Sequence, residues 1–227
     1  MTAKSGRNRR AGPWLPPFGD RRHRRIGLLG GSFNPAHAGH AHLTRAALQA
    51  LALDQVWWLV SPQNPLKPTK GMAAVAQRLA DARALAATFG GRVVATGIEA
   101  RLGVTRTVLT LAALKRRYPA IGFVWLMGAD NLAQFHRWRD WRRIARQVPI
   151  AVIARPGYER DALRSPAYRW FGRFVRPSRG ARNWTEWRLP ALVLLRFRPD
   201  PTSATALRSA DPDWFKHPRK PAHPPEE

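Results

Sequence analysis

The chain has 227 residues, 44% of them apolar, with ten tryptophans and nine phenylalanines, so it can bury a core of its own and is not disordered throughout. It contains no cysteine, which excludes disulfides, thiol nucleophiles and Cys-ligated metal centres. With 39 basic residues against 14 acidic ones the net charge is +25. That excess reads either as an anionic partner (nucleotide, nucleic acid or acidic head groups) or as solvated arginines from a GC-rich genome.

Residues 1–25 mix arginine with proline and glycine and have no hydrophobic period, which predicts a basic, disordered or loosely attached arm. Ile26–Leu29 is a short apolar run that reaches Gly30-Gly31, a buried strand entering a tight turn. From His40 to Leu53, Leu43, Ala46, Ala47, Ala50 and Leu51 recur at helical spacing. Val56–Val60 is the next strand, followed by the turn-rich Ser61-Pro62-Gln63-Asn64-Pro65. Val75 to Phe89 is an alanine-rich helix stopped by Gly90-Gly91, and Arg92–Thr96 is a strand with a weaker apolar signal. Thr107 to Arg117 reads as a helix stopped by Pro119, and Phe123–Met127 as a strand ending at Gly128. Asn131 to Gln147 is helical in two pieces, and Ile150–Ala154 and Leu192–Arg196 are the last strands. Residues 156–190, rich in Pro, Trp and Arg, show no assignable pattern, and 211–227 reads as a proline-rich tail. This leaves 26–210 as the folded domain. No apolar run is of membrane-spanning length and the arginine-rich start lacks the apolar stretch of a secretory signal, so a soluble cytoplasmic protein is expected.

Strands that are apolar on both faces and alternate with helices indicate an α/β fold, a parallel sheet with helices on both faces. Such sheets take ligands beyond the carboxyl ends of their strands, here the positions after Leu29, Val60, Met127 and Arg196.

The string after the first strand is Gly30-Gly31-Ser32-Phe33-Asn34-Pro35-Ala36-His37-Ala38-Gly39-His40. Two glycines let backbone pass close to a bulky ligand, although such a pair is also an ordinary turn. A turn feeding a helix N-terminus offers N–H groups and the positive end of a dipole to phosphate. His37 and His40, three apart, can face the same way there and donate to phosphate oxygens. With His42 they could also suggest a metal site, but no carboxylate or cysteine lies nearby in sequence to complete one.

Taken as a unit, this string resembles the GG[ST]F-[DN]-P-x-H-x-GH signature of the HxGH nucleotidyltransferase superfamily, and within it the bacterial nicotinate-nucleotide adenylyltransferases, over about residues 25–210. Pro62-Gln63-Asn64-Pro65-Leu66-Lys67 is similar to that family's P-x-x-N-P-x-K loop, and Gly128-Ala129-Asp130-Asn131-Leu132 with Trp138 to its G-x-D-N-L…W segment. Ser203-Ala204-Thr205-Ala206-Leu207-Arg208 is similar to its S-S-T-x-I-R motif. The resemblance implies a Rossmann-like, doubly wound parallel sheet, ATP as substrate with Mg²⁺, and nicotinate mononucleotide as acceptor. It implies catalytic roles for His37, His40 and Arg208, and ATP contacts from Gly30, Gly31, Ser32, Phe33, Lys67, Ser203 and Thr205. Thr107, Asp130 and Trp138 would contact the acceptor nucleotide, Asp130 at a ribose and Trp138 against the pyridine ring. Read without the resemblance, Lys67 is a surface lysine, Asp130 a helix cap, Trp138 a packing residue, and the 203–208 group a cap followed by a solvated arginine.

Three positions depart from the family pattern. Ala204 removes one hydroxyl, Arg106 stands where a tyrosine is usual, and Leu109 replaces an aspartate. Two other readings compete. One is a sibling transferase acting on nicotinamide mononucleotide or phosphopantetheine. The other is a basic nucleic-acid-binding module, prompted by Arg137-Trp138-Arg139-Asp140-Trp141-Arg142-Arg143. The sequence does not reveal the oligomeric state.

Overall fold

Every residue of the strand Gln55–Val60 is buried, as an apolar run covered on both faces must be. Its neighbours alternate between two apolar layers: Val56, Trp58 and Val60 enter one, Trp57 and Leu59 the other. The computed structural model describes residues 15–62, 72–154 and 157–196. Within these, the strands β1 (Arg24–Gly31), β2 (Gln55–Val60), β3 (Val93–Thr96), β4 (Ile121–Gly128), β5 (Ile150–Ile153), β6 (Val175–Arg176) and β7 (Leu192–Leu195) form one sheet. Its order is β3-β2-β1-β4-β5-β7-β6, and every recorded pairing is parallel.

The helices cover both faces. α1 (Ala38–Ala50) and α2 (Val75–Ala87) pack Ala46, Ala47, Leu48, Ala82 and Ala86 onto the layer that holds Trp58 and Leu126. On the other face lie α3 (Ile98–Leu102), α4 (Thr107–Arg117), α5 (Ala129–Gln134), α6 (Trp141–Ala145), α7 (Glu159–Arg164) and α8 (Pro166–Phe171). These bury Ile98, Leu111, Leu132, Ile144, Ala162 and Phe171 against Trp57, Phe123 and Trp125. No helix among the described residues is long and apolar enough to cross a membrane.

The expected α/β architecture is the one found, with local differences. Residues 131–147 break twice: α5 passes into a 3-10 turn at Phe135–Arg137, and Asp140, at φ +57°, separates that turn from α6. Residues 157–190 hold α7, α8, β6 and two 3-10 segments; most span six residues or fewer, and the nine-residue segment Ser178–Glu186 is broken by a non-helical Asn183, so no sustained period shows in sequence. The start of α8 carries a local signal: Ser165 accepts from the Tyr168 N–H, and Pro166 occupies the first turn.

Part of the expected arm is docked. Leu15 packs against the core, the Pro16 carbonyl accepts from the Tyr118 hydroxyl at 2.9 Å, and Phe18 meets Tyr118 edge-on at 5.5 Å. Apolar residues between the arginines hold this stretch down, so residues 15–25 are not a loose arm.

A buried acid ties α3 to α4. Glu99 is buried, and the Thr110 hydroxyl lies 2.8 Å from its Oε1. Burial raises the Glu99 carboxyl above its ordinary range, and the Thr110 hydrogen bond opposes this only in part. Below the unfolded pKa both states carry the proton. As pH rises past it, the unfolded chain ionises first and stability falls until the folded carboxyl also ionises. Glu99→Gln keeps an acceptor for Thr110 and removes this penalty. The unfolding midpoint of Glu99→Gln should therefore exceed that of the parent by more at pH 8 than at pH 4, measured by thermal melts. A pH-independent difference would refute the assignment.

Candidate active site

Strand order reverses between β1 and β4: the chain builds outward through β2 and β3 on one side, and through β5 on the other. A parallel sheet opens a crevice at the carboxyl end of such a switch. The segments that follow β1 and β4 border it, and these are Ser32–His37 and the start of α5.

Across this junction Gly30 has a packing role. A Cβ there would fall 2.6 Å from Cη2 of Trp125, whose indole is buried and fills the space a side chain would need. Trp125 in turn meets Trp138 edge-to-face at 6.1 Å, and Trp138 meets Phe135 at 5.4 Å. A chain of aromatic contacts thus runs from β4 to Trp138. A Cβ on Gly31 would make only ordinary contact with the Phe33 ring.

The turn satisfies its own helix start. His37 is the N-cap of α1, and its Nδ1 accepts from the Gly39 N–H at 3.1 Å. His40 Nδ1 accepts from the His37 N–H at 3.3 Å, which completes a capping box built from two imidazoles. Because each Nδ1 accepts, the neutral rings carry their proton on Nε2, and Nε2–H is the donor each presents. The ring centroids are 4.0 Å apart, and His40 stacks on Phe33 at 4.5 Å. Phe33 has φ +47°, a left-handed conformation that an aromatic residue rarely adopts. Its ring is buried and stacked on Trp58 at 5.4 Å, which offsets that strain. Ser32 and Asn34 are buried as well, and the Asn34 side-chain oxygen accepts from the Ala73 N–H at 3.0 Å.

One residue that the sequence reading passed over sits beneath this turn. Arg78 of α2 is buried, 1% exposed, and all its recorded partners are main-chain carbonyls. Nε donates to Ala73 at 3.0 Å, Nη1 to Ser32 at 2.6 Å and Ser61 at 2.8 Å, and Nη2 to Pro62 at 2.9 Å. Desolvation lowers its pKa from the ordinary arginine value, yet a guanidinium stays charged at neutral pH. The signal was visible: the inward face of α2 is Arg78, Ala82 and Ala86, an arginine heading a small apolar stripe.

Two of the residues expected to contact the acceptor nucleotide, Asp130 and Thr107, lie at helix starts. Asp130 is the second residue of α5, whose N-cap is Gly128, so it does not cap that helix. Thr107 opens α4, with Arg106 exposed at its N-cap. Leu109 is 45% exposed. Lys67, Ser203, Thr205 and Arg208 lie outside the described residues. In the arginine–tryptophan string, Trp141 is buried against Phe135 and Trp170, and Arg142 lies over it at 4.6 Å. The indoles of that string serve the core while the guanidiniums face outward.

Comparison with known proteins gives the family and the fold. The cytidylyltransferase-like family model matches residues 28–210. A protein of Erythrobacter litoralis named "Probable nicotinate-nucleotide adenylyltransferase" is 57% identical over 84% of this chain and 86% of its own length. One of the same name from Gluconobacter oxydans is 55% identical over 82% of this chain and 94% of its own length. Among solved structures, Plasmodium falciparum nicotinic acid mononucleotide adenylyltransferase complexed with NaAD superposes with a TM-score of 0.61. At 14% identity, covering 82% of this chain and 83% of that one, it shares the fold. The glycine pair, the capped histidines and the crevice at the strand-order reversal thus lie in a chain that belongs to the cytidylyltransferase-like family, among the nicotinate-nucleotide adenylyltransferases.

Proposed function

We propose that the chain transfers the adenylyl group of ATP to the 5′-phosphate of nicotinate mononucleotide, as a soluble cytoplasmic enzyme of NAD biosynthesis. The observation that carries this reading is the pair of imidazoles at the N-terminus of α1, beside the crevice between β1 and β4. One oxygen of the acceptor phosphate attacks the α-phosphorus, the bond to the bridging oxygen breaks, and pyrophosphate leaves with that bond's electron pair. A phosphate oxygen is already ionised at neutral pH, so no general base is required. Positioning and charge neutralisation carry the rate.

Each residue's part follows from its chemistry. Nε2–H of His37 and of His40 donates to phosphate oxygens, and the positive end of the α1 dipole favours the same negative charge. Phe33, with a backbone conformation that opens the turn, and the N–H groups after Gly31 line the path of the triphosphate. Arg208, Ser203, Thr205 and Lys67 would hold the leaving phosphates with fork-shaped, hydroxyl and ammonium donors. Mg²⁺ enters as part of the substrate Mg-ATP, where it neutralises phosphate charge. Among the described residues no group of three or more His, Cys, Asp and Glu is placed to hold a metal ion. Asp130 accepts from ribose hydroxyls, Thr107 borders the acceptor pocket, and the Trp138 face stacks on the pyridine ring.

The acceptor is tested directly by pyrophosphate release. Nicotinate mononucleotide should be consumed faster than nicotinamide mononucleotide or phosphopantetheine with Mg-ATP. A faster reaction with either alternative would reassign the acceptor, and none with any would end the reading.

The histidines permit a separation of capping from catalysis. His40→Ala should lose on the order of 10²–10³ in turnover with the fold intact. His37→Asn keeps a side-chain acceptor for the Gly39 N–H, so its melting temperature should stay near the parent's, while turnover falls by a similar factor. His37→Ala should lose about 1 kcal/mol of stability in addition, by denaturant titration. Parental turnover in His37→Asn would remove the imidazole from the chemistry.

A further inference from the structure

We propose that Arg78 is a positioning residue for ATP: its guanidinium clamps the turn after β1 to the segments flanking residues 63–72, and holds that turn in its phosphate-receiving shape. This rests on the adenylyl-transfer reading above.

Four carbonyls from three segments converge on one side chain. Ser32 lies in the turn itself, Ser61 and Pro62 follow β2, and Ala73 precedes α2. The residue-73 backbone is gripped twice, its carbonyl by Arg78 Nε and its N–H by Asn34 of the same turn. Arg78 and Asn34 thus join the two loops that leave β1 and β2 at the carboxyl edge of the sheet.

The clamp also fixes a direction. In a planar trans peptide the carbonyl and the following N–H point opposite ways. With the Ser32 carbonyl held toward Arg78, the Phe33 N–H points away from the clamp, and its orientation no longer depends on a ligand. Among the described residues Arg78 pairs with main-chain carbonyls and with no carboxylate, so within them its positive charge beneath the turn is not cancelled by an acid. Lysine cannot replace it: an ammonium is a point donor with three N–H bonds, whereas the fork reaches carbonyls on separate sides.

The test compares Arg78→Lys and Arg78→Met with the parent protein, by steady-state kinetics with Mg-ATP and nicotinate mononucleotide, Mg-ATP calorimetry and thermal melts. In folded variants the KM and Kd for ATP should rise by about tenfold or more, while the KM for nicotinate mononucleotide changes by less than about threefold. A residue that only supported the fold would lower the melting point and the active fraction, hence apparent kcat, and leave the ATP constants unmoved. Either that pattern or parental kinetics in folded Arg78→Lys overturns the proposal. If neither variant folds, Asn34→Ala, which releases the other grip on residue 73, carries the test. It should raise the KM for ATP by about threefold or more, and unchanged ATP constants there overturn the proposal. The parent enzyme separates the two claims: if it releases no pyrophosphate the functional reading fails, and if it is active while variants keep the ATP constants, only the role of Arg78 fails.

Discussion

A chain that leaves a buried strand and starts a helix after only six intervening residues has to satisfy the first backbone donors of that helix close to the turn itself. Here two histidines do so, each ring accepting from a backbone N–H through Nδ1. The same bonds decide where the imidazole protons sit, and so which nitrogen of each ring can donate to a ligand. Helix capping and the phosphate recognition proposed for these two rings draw on one arrangement of this turn. A histidine pair without the caps would have neither a set tautomer nor a set spacing.

The sheet explains why this turn faces a crevice at all. Seven parallel strands need both faces covered, and the reversal of strand order between β1 and β4 leaves a cleft where no crossover passes overhead. The packing beneath this edge is aromatic: Trp125 occupies the place beside Gly30 that any side chain would need, and meets Trp138 edge-to-face. A glycine of the signature therefore serves packing across β1 and β4 as much as approach of a ligand.

Charge is distributed with two different logics. Outward-facing arginines such as Arg142 and Arg146 lie over tryptophan rings, where stacking holds the planar group while water solvates it. Arg78 is buried, and main-chain carbonyls take the place of water. Burying a charge without such partners would cost several kcal/mol, so its four hydrogen bonds are a condition of its being there. The net charge of +25 describes the first population and conceals the second.

The apolar runs at 26–29, 56–60, 123–127 and 150–154, separated by helical periods, were enough to specify a covered parallel sheet, because burial on both faces leaves an unbroken apolar string. The Gly30–His40 string was likewise readable, since contiguous residues in a tight turn carry their geometry with them. The two six-residue helices in 157–171 escaped, as fewer than two turns show no period. The docking of Leu15 to Phe18 escaped because its anchor, Tyr118, lies a hundred residues away in sequence. Arg78 could be seen only as an arginine on an alanine face. That its one guanidinium meets Ser32, Ser61, Pro62 and Ala73 follows from three loops converging at the sheet edge, and convergence of distant segments is what tertiary folding alone supplies.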